Sequence, residues 1–193
     1  MPIVRVTMIE GYAEEVRQRL ALRLTDAVRG TIAAPADGVT VAIEEVRPSN
    51  YMRGGRSRTP GVAVPDPVDV VRGFLAAMEA RDLPRAQSCL ADGFEMVFPG
   101  GQRFSALAEM VAWAGTRYRR VSKTIAGFDT GFSDGRAVVH CHGTLSGEWL
   151  DGSRFESVRF IDRFEVENGR LVSQSVWNDL GERKREGCDS TDV

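Results

Sequence analysis

A chain of 193 residues with 42% apolar and 27% charged side chains has the composition of one large or two small globular domains, which excludes collagen-like, low-complexity and disordered classes. Its 25 Lys and Arg nearly cancel 27 Asp and Glu, so no strong field exists to attract nucleic acid or an anionic membrane. No run approaches the ~20 apolar residues of a bilayer span, and Met1-Pro2-Ile3-Val4-Arg5 lacks the basic and apolar regions of a leader; a cytoplasmic protein with neither nucleic-acid nor membrane partner is expected.

Residues 2–8 are rich in β-formers and predict a strand. Over residues 14–32, Val16, Leu20, Leu24, Ala27, Val28 and Ile32 recur at three- and four-residue spacing, the apolar stripe of a helix. Asp37-Gly38 turns the chain into a second strand over 39–46, and a link through a helix favours parallel pairing with the first. Residues 57–67 contain Pro60, Gly61, Pro65 and Pro67, which cannot continue a helix or an inner strand. They mark a division into a unit at 1–57, a linker at 58–66, a second unit at 67–182 and a polar tail at 183–193. A unit of about sixty residues buries little surface, which implies a homo-oligomer or packing on the rest of the chain.

The second unit opens with Asp66 as an N-cap and Pro67 at the first helical position, and Val68, Val71, Leu75 and Met78 mark one helical face to about residue 80. A short helix over 84–90 and a strand near 94–98 follow. After the Pro99-Gly100-Gly101 break, Ser105 is placed to cap a third helix carrying Leu107, Met110, Val111 and Ala114 on one face. From Thr124 onward β-rich runs are separated by Asp134-Gly135, Asp151-Gly152 and Asn168-Gly169, dipeptides that supply the positive φ angles of tight hairpins. Four long antiparallel strands are expected. Cys89, Cys141 and Cys188 are far apart and in no ligand spacing, so they read as reduced thiols, without a disulfide framework or a zinc site.

Pro2 follows the initiator methionine, which is normally removed before a small residue. Its nitrogen then becomes a secondary amine, and burial or nearby cations lower such an amine's pKa toward the range of a general base. Pro2-Ile3-Val4-Arg5-Val6, Ile9-Glu10-Gly11, the long amphipathic helix, Ala34-Pro35 before a strand, and Tyr51 followed by Gly54-Gly55 together resemble the 4-oxalocrotonate tautomerase family over about residues 2–60. The resemblance implies keto-enol proton transfer by Pro2, no cofactor, a small carbonyl or enol substrate, and assembly into oligomers. The family's carboxylate-binding and acid-assisting arginines fall on Tyr12 and Thr40, while the aromatic wall of its pocket is kept as Tyr51. Tyr12 is a candidate donor to a developing enolate, and Arg53 or Arg56 a candidate replacement for the missing charge; the alternative is a surface ring and ordinary loop charges.

In the C-terminal part, Val158, Phe160, Asp162, Phe164 and Val166 alternate onto one strand face, with Arg159, Ile161 and Arg163 on the other. An acid among apolar neighbours is either an acid-base catalyst or half of an ion pair with an arginine. Asp179 is a second candidate carboxylate, able to pair with Asp162 or simply to cap a strand end. His140 and His142 share a strand face opposite Cys141 and read as cavity-lining or satisfied side chains, with no third residue to make a metal site. Trp177 reads as core or cavity wall. Phe98-Pro99-Gly100-Gly101, Phe160-Ile161-Asp162-Arg163-Phe164 with Asn168-Gly169-Arg170, and Trp177-Asn178-Asp179-Leu180-Gly181 resemble the SnoaL-like polyketide cyclase branch of the nuclear-transport-factor-2-like fold over residues 66–181.

The expected architecture is therefore α+β: a β-α-β tautomerase-like unit followed by a cone-shaped α+β barrel of three helices on a curved antiparallel sheet. The expected activity is an isomerase using Pro2, with a second ligand-binding or catalytic cavity. The alternatives are cyclase-like or ketosteroid-isomerase-like chemistry in the C-terminal cavity with the first unit only structural, and a non-catalytic small-molecule-binding protein.

Overall fold

Strand β1 (Ile3–Ile9) turns Val4, Val6 and Met8 to one side and Ile3, Arg5 and Thr7 to the other, and the computed structural model, which describes residues 1–189 and side chains through Lys184, leaves the second set exposed. Helix α1 (Glu14–Arg29) lays the half-buried stripe Val16, Leu20, Leu24 and Val28 toward the sheet and stops at Gly30. Ala27 and Ile32, expected on that stripe, are exposed, Ile32 because it lies past the helix end. Strand β2 (Thr40–Val46) then pairs parallel with β1, in register from Ile3 opposite Thr40 to Ile9 opposite Val46. A short hairpin, β3 (Met52–Arg53) and β4 (Arg56–Ser57), turns on Gly54 and Gly55 at φ of 60° and 72°, angles that residues with a Cβ rarely adopt.

These elements belong to the first of two compact units, Met1–Ala63 and one that begins at Val64. Among the described residues, no side chain of the first unit is buried, and Leu22 and Ile3 stand 66% and 61% exposed. Two strands and one helix are too few to cover each other.

The second unit has its own core. The Asp66 carboxylate accepts the Val68 N–H at 2.9 Å and starts α2 (Pro67–Glu79), whose buried face is Val71, Phe74, Ala77 and Met78. Helix α3 (Leu83–Ser88) is capped by Asp82, and α4 (Leu107–Gly115) begins after Ala106 with no side-chain cap, so Ser105 does not have the capping role expected of it. Six strands form one sheet: β5 (Leu90–Phe98), β6 (Gln102–Phe104), β7 (Tyr118–Ser133), β8 (Arg136–Trp149), β9 (Arg154–Glu167) and β10 (Arg170–Asn178), in the order β6-β5-β10-β9-β8-β7. The pairings are antiparallel except β5 with β10, which run parallel.

Asp134-Gly135 and Asn168-Gly169 turn with both residues at positive φ, as their hairpins require. At Asp151-Gly152 only the glycine does so; the Asp151 carboxylate instead accepts the Ser153 N–H at 2.8 Å, a side-chain-closed turn. The stretch expected as a polar tail continues as helix α5 (Leu180–Asp189), and residues 190–193 lie outside the described residues. Cys89 and Cys141 are free thiols, whereas the expectation for Cys188 lies outside the described side chains. Among the described residues no helix is long and apolar enough to cross a membrane.

The core of this unit forms where α2 crosses the inner face of the sheet. The Phe74 ring meets Phe94 and Phe164 edge-on, centroids 6.2 and 6.1 Å apart, and Phe164 is fully buried. Phe164→Ala should cost about 3–5 kcal/mol in urea unfolding followed on the second unit; a loss below about 1 kcal/mol would contradict this packing. On the opposite sheet face Glu165 accepts from Arg163 at 2.8 Å and Arg136 at 3.2 Å. The Arg163 hydrogen bond, opposed by burial and aided by Arg136, holds the Glu165 carboxyl below its ordinary pKa. Its contribution is thus complete above the ordinary carboxylate range and is lost as pH falls through the lowered folded value. Glu165→Gln should cost up to about 1 kcal/mol near neutral pH, with the difference from wild type closing on acidification; a constant difference would refute the linkage.

Candidate functional site

In the first unit Pro2 sits at the head of β1, where its carbonyl accepts the Thr40 N–H at 3.1 Å. Tyr12 lies past the other end of the same strand. Its carbonyl accepts from Arg17, which also pairs with Glu45 at 2.8 Å. Residues 60 and 61 return to this end: a Cβ on Gly61 would lie 3.6 Å from the Tyr12 phenol oxygen, and one on Gly11 would lie 3.2 Å from the Pro60 ring. Tyr51, whose carbonyl accepts the Arg58 N–H at 3.1 Å, also follows the far end of β2, and Arg53 and Arg56 face each other across the exposed β3–β4 hairpin. At a rise of ~3.3 Å per residue, β1 separates the Pro2 end from the Tyr12 end by about 20 Å. One chain therefore brings Pro2 to Thr40, while Tyr12 and Tyr51 follow the opposite ends of β1 and β2 and Arg53 and Arg56 lie on the hairpin beyond.

The second unit holds an open-mouthed cavity of about 270 Å³, walled in part by Phe74, Phe98, Met110, Leu145, Phe160 and Val176. Asp162 reaches it from β9 and has no exposed surface. The alternation along β9 places it there: Val158, Phe160, Phe164 and Val166 are buried with it, while Arg159 and Ile161 are exposed on the other face. One carboxylate oxygen, Oδ2, accepts from Lys123 Nζ and from Gln174 Nε2, the latter at 3.2 Å. The other, Oδ1, is buried with no hydrogen-bond partner.

Lys123 enters from β7. It stands opposite the buried Leu145 of β8, which fixes its side chain to the inner face, and its ammonium lies 4.5 Å from the centre of the Phe160 ring. Gly143, opposite Ile125 on β7 and Phe160 on β9, carries no side chain, and a Cβ there would collide with the Thr124 carbonyl oxygen. Cys141 pairs across from Asp162 on β8; burial pushes its thiol up to about 11, against a lowering by Lys123 and Arg72, so it remains a thiol. Burial likewise raises the Tyr118 phenol at the cavity wall, against Arg117 and Arg81, and keeps it protonated.

Sequence reasoning placed Asp162 inside but missed Lys123 and Gln174. The available signal was that Lys123 is one of only two lysines, beside Lys184, among 25 basic residues. Three other expectations need correction. Asp179 does not meet Asp162; it ends β10 in a surface pair with Arg159 at 2.8 Å, and its backbone carbonyl accepts from Arg183. His140 and His142 lie on the sheet face opposite the buried Cys141 and do not line the cavity, and His142 faces Asp129 at 3.6 Å. Trp177 is 53% exposed on that same outer side. Among the described residues no three His, Cys, Asp or Glu side chains gather as a metal site.

Comparison with known proteins treats the two units separately. A family model described as "Tautomerase enzyme" matches residues 2–59, and one described as "SnoaL-like domain" matches residues 71–174. A protein from Bacillus cereus named "Probable tautomerase" is 43% identical over 56 residues, which are 29% of this chain and 92% of that protein. One from Staphylococcus aureus, similarly named, is 41% identical over 51 residues, 26% of this chain and 84% of its own. Among solved structures, an NTF2-like protein of unknown function from Burkholderia pseudomallei superposes with a TM-score of 0.51 at 23% identity, covering 61% of this chain and 94% of its own. Another from Burkholderia xenovorans gives 0.51 at 20% identity, covering 65% and 98%. Those two likenesses establish the fold of the second unit. The chain belongs to the tautomerase family through residues 2–59 and to the SnoaL-like domain family through residues 71–174.

Proposed function

We propose that the first unit is an isomerase in which Pro2, freed by removal of Met1, moves a proton between carbon and oxygen of a small enolisable carbonyl compound. The observation that supports this most is the family match itself, which begins at Pro2 and includes relatives 43% identical across nearly their whole length. A secondary amine held at a strand end takes the proton from one atom of the dienol or ketone and returns it to the other, without a cofactor. The intermediate enolate needs a hydrogen-bond donor or a cation. Tyr12, Arg53 and Arg56 are the candidates on this chain, with Tyr51 as the aromatic wall. Because Tyr12 and Thr40 stand where the family has arginines, a carbonyl compound with one acidic group or none suits this site better than a dicarboxylate.

Since Pro2 and the Tyr12 end lie about 20 Å apart by strand rise, the complete site draws on two copies of the chain. The exposed faces of β1 and α1 are the surfaces that such an assembly would cover. Pro2→Ala should lower kcat/KM for ketonisation of phenylenolpyruvate by about a hundredfold or more; rates equal to wild type would defeat the assignment. Co-assembling the Pro2→Ala chain with a Tyr12→Phe, Arg56→Ala chain should recover part of the activity that each lacks alone. No recovery in mixed oligomers of verified composition would place the site within one chain.

A second reading rests on Asp162, a fully buried carboxylate facing the cavity with one oxygen unpartnered. In it the second unit performs proton transfer of its own, with Asp162 as base and Lys123 holding the developing oxyanion. On a panel of enolisable ketones, activity that survives Pro2→Ala and falls in Asp162→Asn supports this reading, and activity unaffected by Asp162→Asn contradicts it.

A further inference from the structure

Among the polar groups that line the second unit's cavity, which include Arg72, Glu79 and Arg81, Asp162 and Lys123 are joined directly to each other. Asp162 Oδ1 is an acceptor removed from water with nothing donating to it, whereas Oδ2 is saturated by Lys123 and Gln174. A buried charged oxygen left without a donor costs free energy, about 1–3 kcal/mol or more. An ammonium has three N–H donors, and Asp162 uses one of those on Lys123. At this point of the wall an anionic acceptor and a cationic donor therefore stand side by side, and Phe74, Phe98, Met110, Leu145 and Val176 line the same cavity. The Phe160 ring beneath Lys123 adds a flat apolar floor.

From this arrangement we infer that the cavity binds an uncharged hydroxycarbonyl compound with an apolar or aromatic body. Its hydroxyl, or the enol hydroxyl of a dicarbonyl, donates to Asp162 Oδ1, and its neighbouring carbonyl oxygen accepts from Lys123 Nζ. A free carboxylic acid fits less well, because its carboxylate would face Asp162 with no proton to donate. A plain ketone satisfies Lys123 but leaves Oδ1 unpaired. A methyl ether does the same and adds bulk against it. The inference rests on the cavity of the second reading above and names what that cavity holds, but it does not require that Asp162 catalyse anything.

The test is binding to the full chain by isothermal titration calorimetry, using three probes on one skeleton: phenacyl alcohol, its methyl ether, and acetophenone. Phenacyl alcohol should bind saturably and about tenfold or more tightly than the other two, the effect of one hydrogen bond to a buried charge. Lys123→Met should weaken the alcohol and the ketone alike, and Asp162→Asn should erase the preference for the alcohol. The part of the alcohol's binding that Asp162→Asn removes is the part that belongs to this cavity and not to the first unit. Equal binding of the three probes, or no saturable binding of phenacyl alcohol at millimolar concentration, overturns the inference. If Asp162→Asn does not fold, the ranking of the probes on the wild-type chain still decides. A ranking as expected with turnover unaffected by Asp162→Asn would sink the second reading and leave this inference standing.

Discussion

The first 63 residues take no side chain fully out of water, and this shortage of burial governs how the unit can work. One helix covers one face of a two-stranded sheet, and the other face keeps Ile3, Arg5 and Thr7 in solvent. Hydrophobic stabilisation scales with apolar area removed from water, at about 25 cal/mol per Å², so a unit of this size gains most of its stability from whatever covers the remaining face. The same geometry divides the candidate residues between the two ends of β1. In the proposed function, one event, the meeting of chains, would both cover that face and complete the site.

The second unit has the opposite character. Its core is continuous from α2 through the inner face of β8, β9 and β10, and it accommodates a carboxylate at zero exposure. A buried charge persists only when paired and hydrogen-bonded. Lys123 and Gln174 supply that pairing for one oxygen of Asp162, and the pair bridges strands β7, β9 and β10 across the cavity. Replacing such a pair by apolar side chains is often neutral or stabilising, so holding it against a cavity wall is better explained by binding than by stability.

Much of this was legible in the sequence because local rules and the final fold agree. The stripe on α1, the Asp66-Pro67 helix start and the parallel β1–β2 pairing followed from spacing, capping and connection length. So did the inward aspect of Asp162, since alternation along β9 is unbroken from Val158 to Val166. Where the reading failed, a non-local event had intervened. In β10 the register shifts between Leu171 and Ser173, so an uninterrupted alternation from buried Leu171 would have placed Trp177 inside, and the bulge turns it out. The spacing of His140 and His142 fixed a shared face but not which face, because that depends on Cys141 pairing with Asp162. Lys123 was missed because its partner lies 39 residues away, two strands over, a distance that no periodicity encodes.

Proton transfer by Pro2 requires that its nitrogen be a free base in the folded protein. A nitrogen NMR titration of the protein, purified from its own cells and isotopically labelled at proline, tests this directly. An amine resonance for Pro2 that titrates toward neutral pH, and that is lost in Pro2→Ala, is the predicted result. An amide resonance that does not move with pH would show Met1 still attached, and would contradict proton transfer by Pro2.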